Sequence, residues 1–342
     1  MSWPFSIIAS RRRVLTLIAG AALTAGGVPA SAASRRTLGK RTFGRRAFEW
    51  QGTALGADAR LVLVHDDHAA AQRALRLCLD EIERLESLFS LYRPDSELSR
   101  LNRDGVLRYP SLDMVALLRA AHTVSQVSGG AFDVSIQPLW QLYADHFRRY
   151  PGDRAGPPAR EIKNTLEHID FARVCISEIE IRIRPGMALT LNGIAQGYIT
   201  DRVAELLRAR GWPDVLINLG EMRATGASPV GSPWTALLDL PVNAPTTPSP
   251  LTLSERAMAT SAGRATKFEA SGHHHHLFSP RDGRSAGEFY SVSVAASDAT
   301  LADALSTALY VMPRDEIHRL IKVFPAVEAW LVDANGSIVH LT

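Results

Sequence analysis

Between residues 75 and 89 apolar side chains recur at helical spacing. Leu75, Cys78, Leu79, Ile82, Leu85, Leu88 and Phe89 fall on one face, which predicts an amphipathic helix. Ahead of it, residues 59–65 alternate apolar and polar, the period of a half-buried strand. The helix runs out into Ser90-Leu-Tyr92-Arg-Pro-Asp-Ser96, a turn-rich exit. A second helix is expected from Ser111, an N-cap residue, to a stop at Gly129-Gly130. Residues 150–158, rich in Pro and Gly, read as a loop. Residues 179–191 read as a hairpin turning at Pro185-Gly186, and Asn192-Gly193 then opens a helix over 194–210, ended by Gly211. A short buried strand follows at 215–219, then a proline-rich loop at 242–250 and a second hairpin over 267–278 turning at Ser271-Gly272. A strand at 290–295, a helix at 301–311 and a strand at 328–332 complete the pattern. There is no internal repeat. Strands and helices follow one another irregularly, which predicts an α+β (mixed α/β) fold with mixed sheets and packed helices, not a doubly wound parallel sheet.

The N-terminus departs from this pattern. Arg11-Arg12-Arg13 precedes an apolar run over 17–23, and Ala30-Ser31-Ala32 offers a small-x-small cleavage site. Residues 1–32 are therefore expected to be an export signal, with the arginine pair resembling a twin-arginine address and a periplasmic destination implied. An ordinary secretory signal carrying three arginines is the alternative. No Cys stands near the cleavage site to carry a lipid anchor. Outside this segment no apolar run is long enough to span a bilayer.

Charge changes meaning once that signal is set aside. The whole chain carries 38 Lys and Arg against 35 Asp and Glu, and the three arginines of 1–32 account for the excess. Six more basic residues stand at 35–46 with no acid among them, so residues 33–47 read as a basic, solvated linker. The remaining body has 29 basic and 35 acidic residues, which gives nucleic-acid binding little electrostatic support. Cys78 and Cys175 are the two cysteines, and export permits a disulfide without the sequence bringing them together.

Several residues could carry chemistry. Asp303 and Thr307, spaced i, i+4, share a helix face and offer two hard oxygen donors. On those residues alone Thr300-Leu-Ala-Asp303 reads as a capping box ahead of a metal site, and Thr307 could likewise be a hydroxyl bonded to the preceding turn. Leu191-Asn-Gly-Ile-Ala-Gln-Gly197 stands where strand gives way to helix, a place for a phosphate on free backbone N–H groups. Its glycines could instead serve close packing, and it matches neither a Walker loop nor the dinucleotide fingerprint. Gly129-Gly130-Ala-Phe132-Asp133 is either a glycine cap with a core Phe or a backbone edge suited to a planar ring. Of the four histidines 273–276, strand alternation lets at most two meet one metal, and one acting as a proton acceptor is the better reading.

Taken in order, these blocks resemble one family, the ApbE-type FAD:protein FMN transferases. The resemblance runs from about Trp50 to Met312. It rests on Gly52-Thr53, Leu88-Phe-Ser-Leu-Tyr92 through Asn102, Gly130-Ala-Phe-Asp133, Pro138-Leu-Trp140, Leu191 through Tyr198 with Asp201-Arg202, Asn218-Leu-Gly220, Ala259-Thr-Ser261, His276-Leu-Phe-Ser-Pro280 and Ala302 through Thr307. It implies an ApbE-like fold with an FAD cleft between sub-regions over 48–342. It implies binding of FAD with Mg²⁺ and transfer of FMN to a Ser or Thr hydroxyl of an exported or membrane redox protein, with AMP leaving. By the same resemblance Asp303 and Thr307 give side-chain oxygens to Mg²⁺ and Gly193 a backbone carbonyl. Gln51, Tyr92, Ala131, Phe132, Asp133, Thr190 and Gln196 contact FAD, and His276 is the base. The chain departs from the family pattern at Thr190, where an acid is frequent, and at Gln196, where Lys or Glu is frequent. It departs again at Gln51, a common Met, and at Ser279, the Asp of the usual His-x-x-Asp-Pro. Those departures motivate two alternatives: a non-catalytic FAD-binding or delivery protein, and an FAD pyrophosphatase.

Overall fold

The computed structural model describes residues 40–41, 46–54, 57–245 and 249–342. The expected export signal, and residues 33–39 and 42–45 of the expected linker, lie outside the described residues. The first strands are β1 (Lys40–Arg41), β2 (Arg46–Ala54) and β3 (Ala57–Val64). Helices α1 (His68–Phe89) and α2 (Glu97–Asp104), strand β4 (Val106–Arg108), and helices α3 (Leu112–Val127), α4 (Gln137–Arg149) and α5 (Ala159–Leu166) follow. Then come β5 (Cys175–Ile176), β6 (Glu180–Arg182), α6 (Ala195–Arg208), β7 (Val215–Asn218), β8 (Met222–Thr225), β9 (Trp234–Ala236), β10 (Leu251–Leu253) and β11 (Arg256–Ser261). The chain closes with β12 (Ser291–Ala296), α7 (Ala299–Val311), α8 (Arg314–Ile321), β13 (Glu328–Val332) and β14 (Ile338–Leu341).

Nine strands form one sheet in the order β1-β2-β3-β7-β8-β11-β12-β13-β14, and each neighbouring pair in it is antiparallel. Two smaller antiparallel sheets, β9–β10 and β4-β6-β5, flank it. The α+β class holds. A parallel contact among the described residues is the isolated bridge Ile136↔Ala188. The main core lies between the sheet and helices α1, α3, α6 and α7, where Leu61, Leu63, Leu85, Leu117, Val203 and Leu305 are all buried. A second cluster, with Val62, Leu216, Met258 and Trp330, covers the opposite sheet face. That two-sided burial explains why β3 alternates only at its start and ends in a continuous apolar run.

Three expectations need correction. Residues 40–41 and 46–47 are not linker: Lys40 pairs with Ala47 and Arg41 with Arg46 at the sheet edge. The hairpin over 179–191 does not form. The reversal comes earlier, between β5 and β6, and after Pro185-Gly186 the chain is held by a side chain instead of a strand: Asn102 accepts from Leu189 N–H at 2.7 Å and donates to its carbonyl at 2.8 Å. The Lys267–Phe278 segment reverses direction, with Phe268 N–H donating to the His274 carbonyl at 2.9 Å, but makes one isolated bridge and no ladder. Cys78 is buried on α1, where desolvation pushes its thiol up to about 12, and Cys175 is exposed; both are free thiols.

Helices α6 and α7 set the position of everything that follows. They cross so closely that a methyl at Gly197 would stand 2.2 Å from the Ala299 carbonyl oxygen. Gly197→Ala is therefore expected to cost about 1–3 kcal/mol in urea unfolding, the scale of overpacking a tight interface. Gly287→Ala, where a methyl meets nothing within 4 Å, is the control and should change little.

Candidate functional site

Helix α6 opens without a side-chain cap. Its start is made by the backbone: Ile194 and Ala195 N–H groups donate to the Leu191 carbonyl at 3.1 and 2.8 Å. Gly193 sits in that turn against α7. A methyl there would lie 3.0 Å from Thr307 Oγ1 and 3.3 Å from the Phe132 ring, so the glycine keeps the space beside the Thr307 hydroxyl open. One turn earlier on α7, the fully buried Asp303 accepts a hydrogen bond from Gly197 N–H at 3.2 Å. The expected capping box is absent. Asp298 is the α7 N-cap, accepting from Leu301 N–H, and Thr300 instead donates its hydroxyl to Asp201 at 2.6 Å. Asp303 is thereby left to work across the helix interface.

On the other side of Gly193, α3 stops in two consecutive left-handed glycines, Gly129 (φ 59°) and Gly130 (φ 81°). These turn the chain so that Ala131, Phe132 and Asp133 face α6. Thr190 N–H donates to the Val134 carbonyl at 2.8 Å and fixes the two segments together. The Asp133 carboxylate is spent on this frame: it accepts from Ser135 N–H at 2.7 Å, from the Ser135 hydroxyl at 2.5 Å and from Phe171 N–H at 3.1 Å. Burial pushes its carboxyl above the ordinary carboxylate range, against the pull of those donors.

These elements border a cleft of about 690 Å³ including its open mouth. Ala131, Phe132, Asp133, Thr190, Gly193, His276 and Thr307 line it together. Ile136, Trp140, Phe278, Pro280 and Val311 give it an apolar side. Of those, Val311 was legible: it follows Thr307 by four residues on the same helix face.

The four histidines do different things. His274 donates through Nε2 to the Arg154 carbonyl at 3.1 Å and packs against Tyr143 and Phe147. His275 has both ring nitrogens committed, Nε2–H to the Ala286 carbonyl at 2.7 Å and Nδ1 accepting from Leu277 N–H at 3.3 Å. Burial pulls its pKa down to about 4. His276 has Nδ1 3.1 Å from the Thr266 carbonyl, which fixes the proton on Nδ1 and makes Nε2 the acceptor nitrogen of a ring that lines the cleft. His273 is exposed.

The ApbE family model matches residues 55–331. The chain belongs to the ApbE family. It is 28% identical over 303 residues to an FAD:protein FMN transferase of Klebsiella pneumoniae, covering 86% of this chain and 92% of that protein. It is 28% identical over 292 residues to an FAD:protein FMN transferase of Treponema pallidum, covering 78% and 77%. Its fold matches the flavin transferase ApbE of Vibrio cholerae with a TM-score of 0.76 at 20% identity, over 87% of this chain and 98% of the other. The flavinyl transferase ApbE of Pseudomonas stutzeri in its apo form gives 0.76 at 24%, over 89% and 97%. At those identities the likeness is one of fold.

Within this ApbE chain the remaining sequence-derived positions stand outside the cleft wall. Gln51 is exposed on β2, bonded to Glu49, in a cross-sheet row with Arg60 and Asn218. Tyr92 is 83% exposed in the turn after α1. Gln196 is 4% exposed, and its amide has no hydrogen-bond partner among the described residues. A methyl at Gly220 (φ +102°) would stand 2.6 Å from Gln196 Nε2, so that loop closes directly over it. Gln196 thus lies under that loop on the α6 side of the sheet, whereas strand alternation puts the row Gln51, Arg60 and Asn218 on the other face, with Val62 and Leu216.

Thr307 offers a hydroxyl beside Gly193, and Asp303, one turn earlier on α7, a buried carboxylate that reaches Gly197 and is not part of the cleft wall; oxygen donors of this kind suit Mg²⁺ and not zinc. No group of three or more His, Cys, Asp or Glu able to hold a metal exists among the described residues. An ion here would take its further ligands from a bound phosphate.

The buried neutral His275 gives a pH test. Its folded pKa of about 4 lies below the ordinary 6.5, so the unfolded chain binds the extra proton between those values. The stability it contributes is complete above pH 6.5 and is lost as pH falls towards 4, by up to about 3 kcal/mol. His275→Gln, read by urea midpoints at pH 7 and pH 4.5, should flatten that fall; an unchanged fall would reject this origin.

Proposed function

We propose that this chain is an FAD:protein FMN transferase. It moves the FMN half of FAD to a Ser or Thr hydroxyl of an acceptor protein, requires Mg²⁺ and releases AMP. The observation that carries the reading is the convergence of Thr307, Gly193, Phe132 and His276, from four separate chain segments, on one cleft. The names of the relatives support the flavin chemistry.

In this reading Phe132, Trp140 and Ala131 hold the flavin ring, and Gln196 and Gln51 are further FAD contacts. Tyr92 closes over the ligand from the turn after α1, and Thr190 hydrogen-bonds at the cleft rim. Asp303, Thr307 and the Gly193 carbonyl hold Mg²⁺. An Mg²⁺ ion held by these residues would supply charge neutralisation at the diphosphate and at the leaving AMP. Asp303 supplies one full negative charge to the site, and Thr307 a neutral oxygen. His276 Nε2 takes the proton of the acceptor hydroxyl as its oxygen bonds to the FMN phosphorus and the bond to the AMP oxygen breaks. Asp133 acts by holding the wall in place, since its oxygens are already engaged. The N-terminal sequence supports export and hence an exported or membrane redox acceptor.

The test is a mixture of FAD, Mg²⁺ and a Ser/Thr-containing acceptor, read by mass spectrometry. A flavinylated acceptor with AMP in equal amount is expected. FAD held intact for hours would point to a binding or delivery protein, and FMN with AMP formed without acceptor to a pyrophosphatase; either result overturns the transferase. Asp303→Asn keeps an acceptor for Gly197 N–H and removes the charge, so activity should fall by about 10²-fold with the fold retained. His276→Ala should slow transfer by about 10²–10⁴-fold while FAD affinity stays near wild type. Equal loss of both would make His276 a binding residue.

A further inference from the structure

A chain of hydroxyls runs behind the cleft between β11 and α7. Ser306 Oγ lies 3.0 Å from the Asp303 carbonyl oxygen, Ser261 Oγ lies 2.8 Å from Ser306 Oγ, and Thr307 Oγ1 lies 3.2 Å from Ser261 Oγ. Ser261 and Ser306 are 0% exposed, so bulk water cannot reorient them. The direction of this chain is fixed at one end, because a carbonyl can only accept. Ser306 therefore donates to Asp303 O. With its proton committed, Ser306 accepts from Ser261. With that proton committed in turn, Ser261 accepts from Thr307.

Run this way, each of the three hydroxyls donates once. Run the other way, the Ser306 proton leaves the Asp303 carbonyl, one hydrogen bond is lost, and the Thr307 proton points into the cleft. The favoured direction keeps both lone pairs of Thr307 Oγ1 for the side that faces Gly193, whereas the reverse direction spends one of them on Ser261 and puts a proton beside any cation. We infer that Ser261 is a positioning residue for the divalent ion: it accepts the hydrogen bond of the Thr307 hydroxyl and so presents the Thr307 oxygen as a ligand. The inference rests on the Mg²⁺ reading above.

Nothing else binds Ser261 to this task by accident of packing. It ends the central strand β11, opposite Val292 of β12, while its neighbour Thr260 bonds Ser293 at 2.8 Å. A hydroxyl at 261 thus faces α7 because strand alternation puts it there. The residue is a small polar group inside a run where Ala257, Met258 and Ala259 are fully buried.

The experiment titrates Mn²⁺ into the full chain with saturating FAD and reads free Mn²⁺ by electron paramagnetic resonance, with FAD alone as control. FAD affinity in EDTA is measured in parallel by flavin fluorescence. Ser261→Ala should weaken Mn²⁺ binding by about 10-fold or more, the scale of losing an outer-shell partner, with FAD affinity in EDTA within about 2-fold of wild type. Ser306→Ala, which only frees the direction of the chain, should weaken it less, and Ser261→Ala/Ser306→Ala should be no worse than Ser261→Ala. If Ser261→Ala does not fold, Ser306→Ala against Ser306→Thr carries the test, with loss in the first and recovery in the second. Wild-type Mn²⁺ affinity in both alanine variants, or a parallel loss of FAD affinity in EDTA, overturns the inference. Thr307→Ala separates the two layers: if it too leaves Mn²⁺ binding unchanged, the metal reading itself fails.

Discussion

The site depends on a reciprocal clasp between two helices. Asp201 of α6 reaches the start of α7, accepting from Ala299 and Thr300 N–H groups at 2.8 Å each and from the Thr300 hydroxyl. Asp303 of α7 reaches back to the start of α6 at Gly197 N–H. Each carboxylate meets the positive end of the other helix, where backbone donors lack intrahelical partners. Arg223 from β8 pairs with Asp201 and keeps that buried charge from standing alone. Gly197 has no side chain to hold the helices apart. The contacts then step in opposite directions along the two helices, from Asp201 with Ala299 to Gly197 with Asp303 and on to Gly193 beside Thr307. The last of these is the floor of the cleft.

Around that floor the division of labour is physical. Residues with their polar atoms engaged hold the frame: Asp133 through Ser135 and Phe171, His274 through Arg154, His275 through Ala286 and Leu277. His276 and Thr307 instead line the cavity. One-residue steps along 273–276 change which role a histidine plays, because each step turns the ring into a different environment. A buried ring with both nitrogens taken, as at His275, is a structural unit, while the half-buried His276 ring borders the cleft.

How much was legible varied with the kind of signal. Long periodic helices were read correctly: α1 showed its face from Leu75 onward, and α3, α6 and α7 ended within a few residues of where their caps and glycines suggested. Shorter elements escaped. In α4, Leu139, Tyr143 and Phe147 repeat every four residues and are buried, but a proline at its start and a glycine-rich approach masked the pattern. β11 is made of small residues whose hydrophobicity is low, and only its central place in the sheet makes it core. Leu189 behaves like a strand residue because a distant asparagine supplies the partner.

The sequence alone determined the α+β class, the helix faces, the export-like N-terminus, the family resemblance and the residue types from which a site could be built. Those properties are local: periodicity, capping and motif order depend on near neighbours in the chain. Only the tertiary structure decided that Thr300-Leu-Ala-Asp303 is no capping box, that Asp303 faces α6, that Asp133 is spent on the wall, and what the other histidines of 273–276 do. Most of those depend on where a partner more than thirty residues away, or a carbonyl from another loop, happens to sit; Asp133 adds two local bonds to Ser135. Hydrogen-bond partners at that separation leave no periodic trace, so the chain order lists the groups while the packing assigns their work.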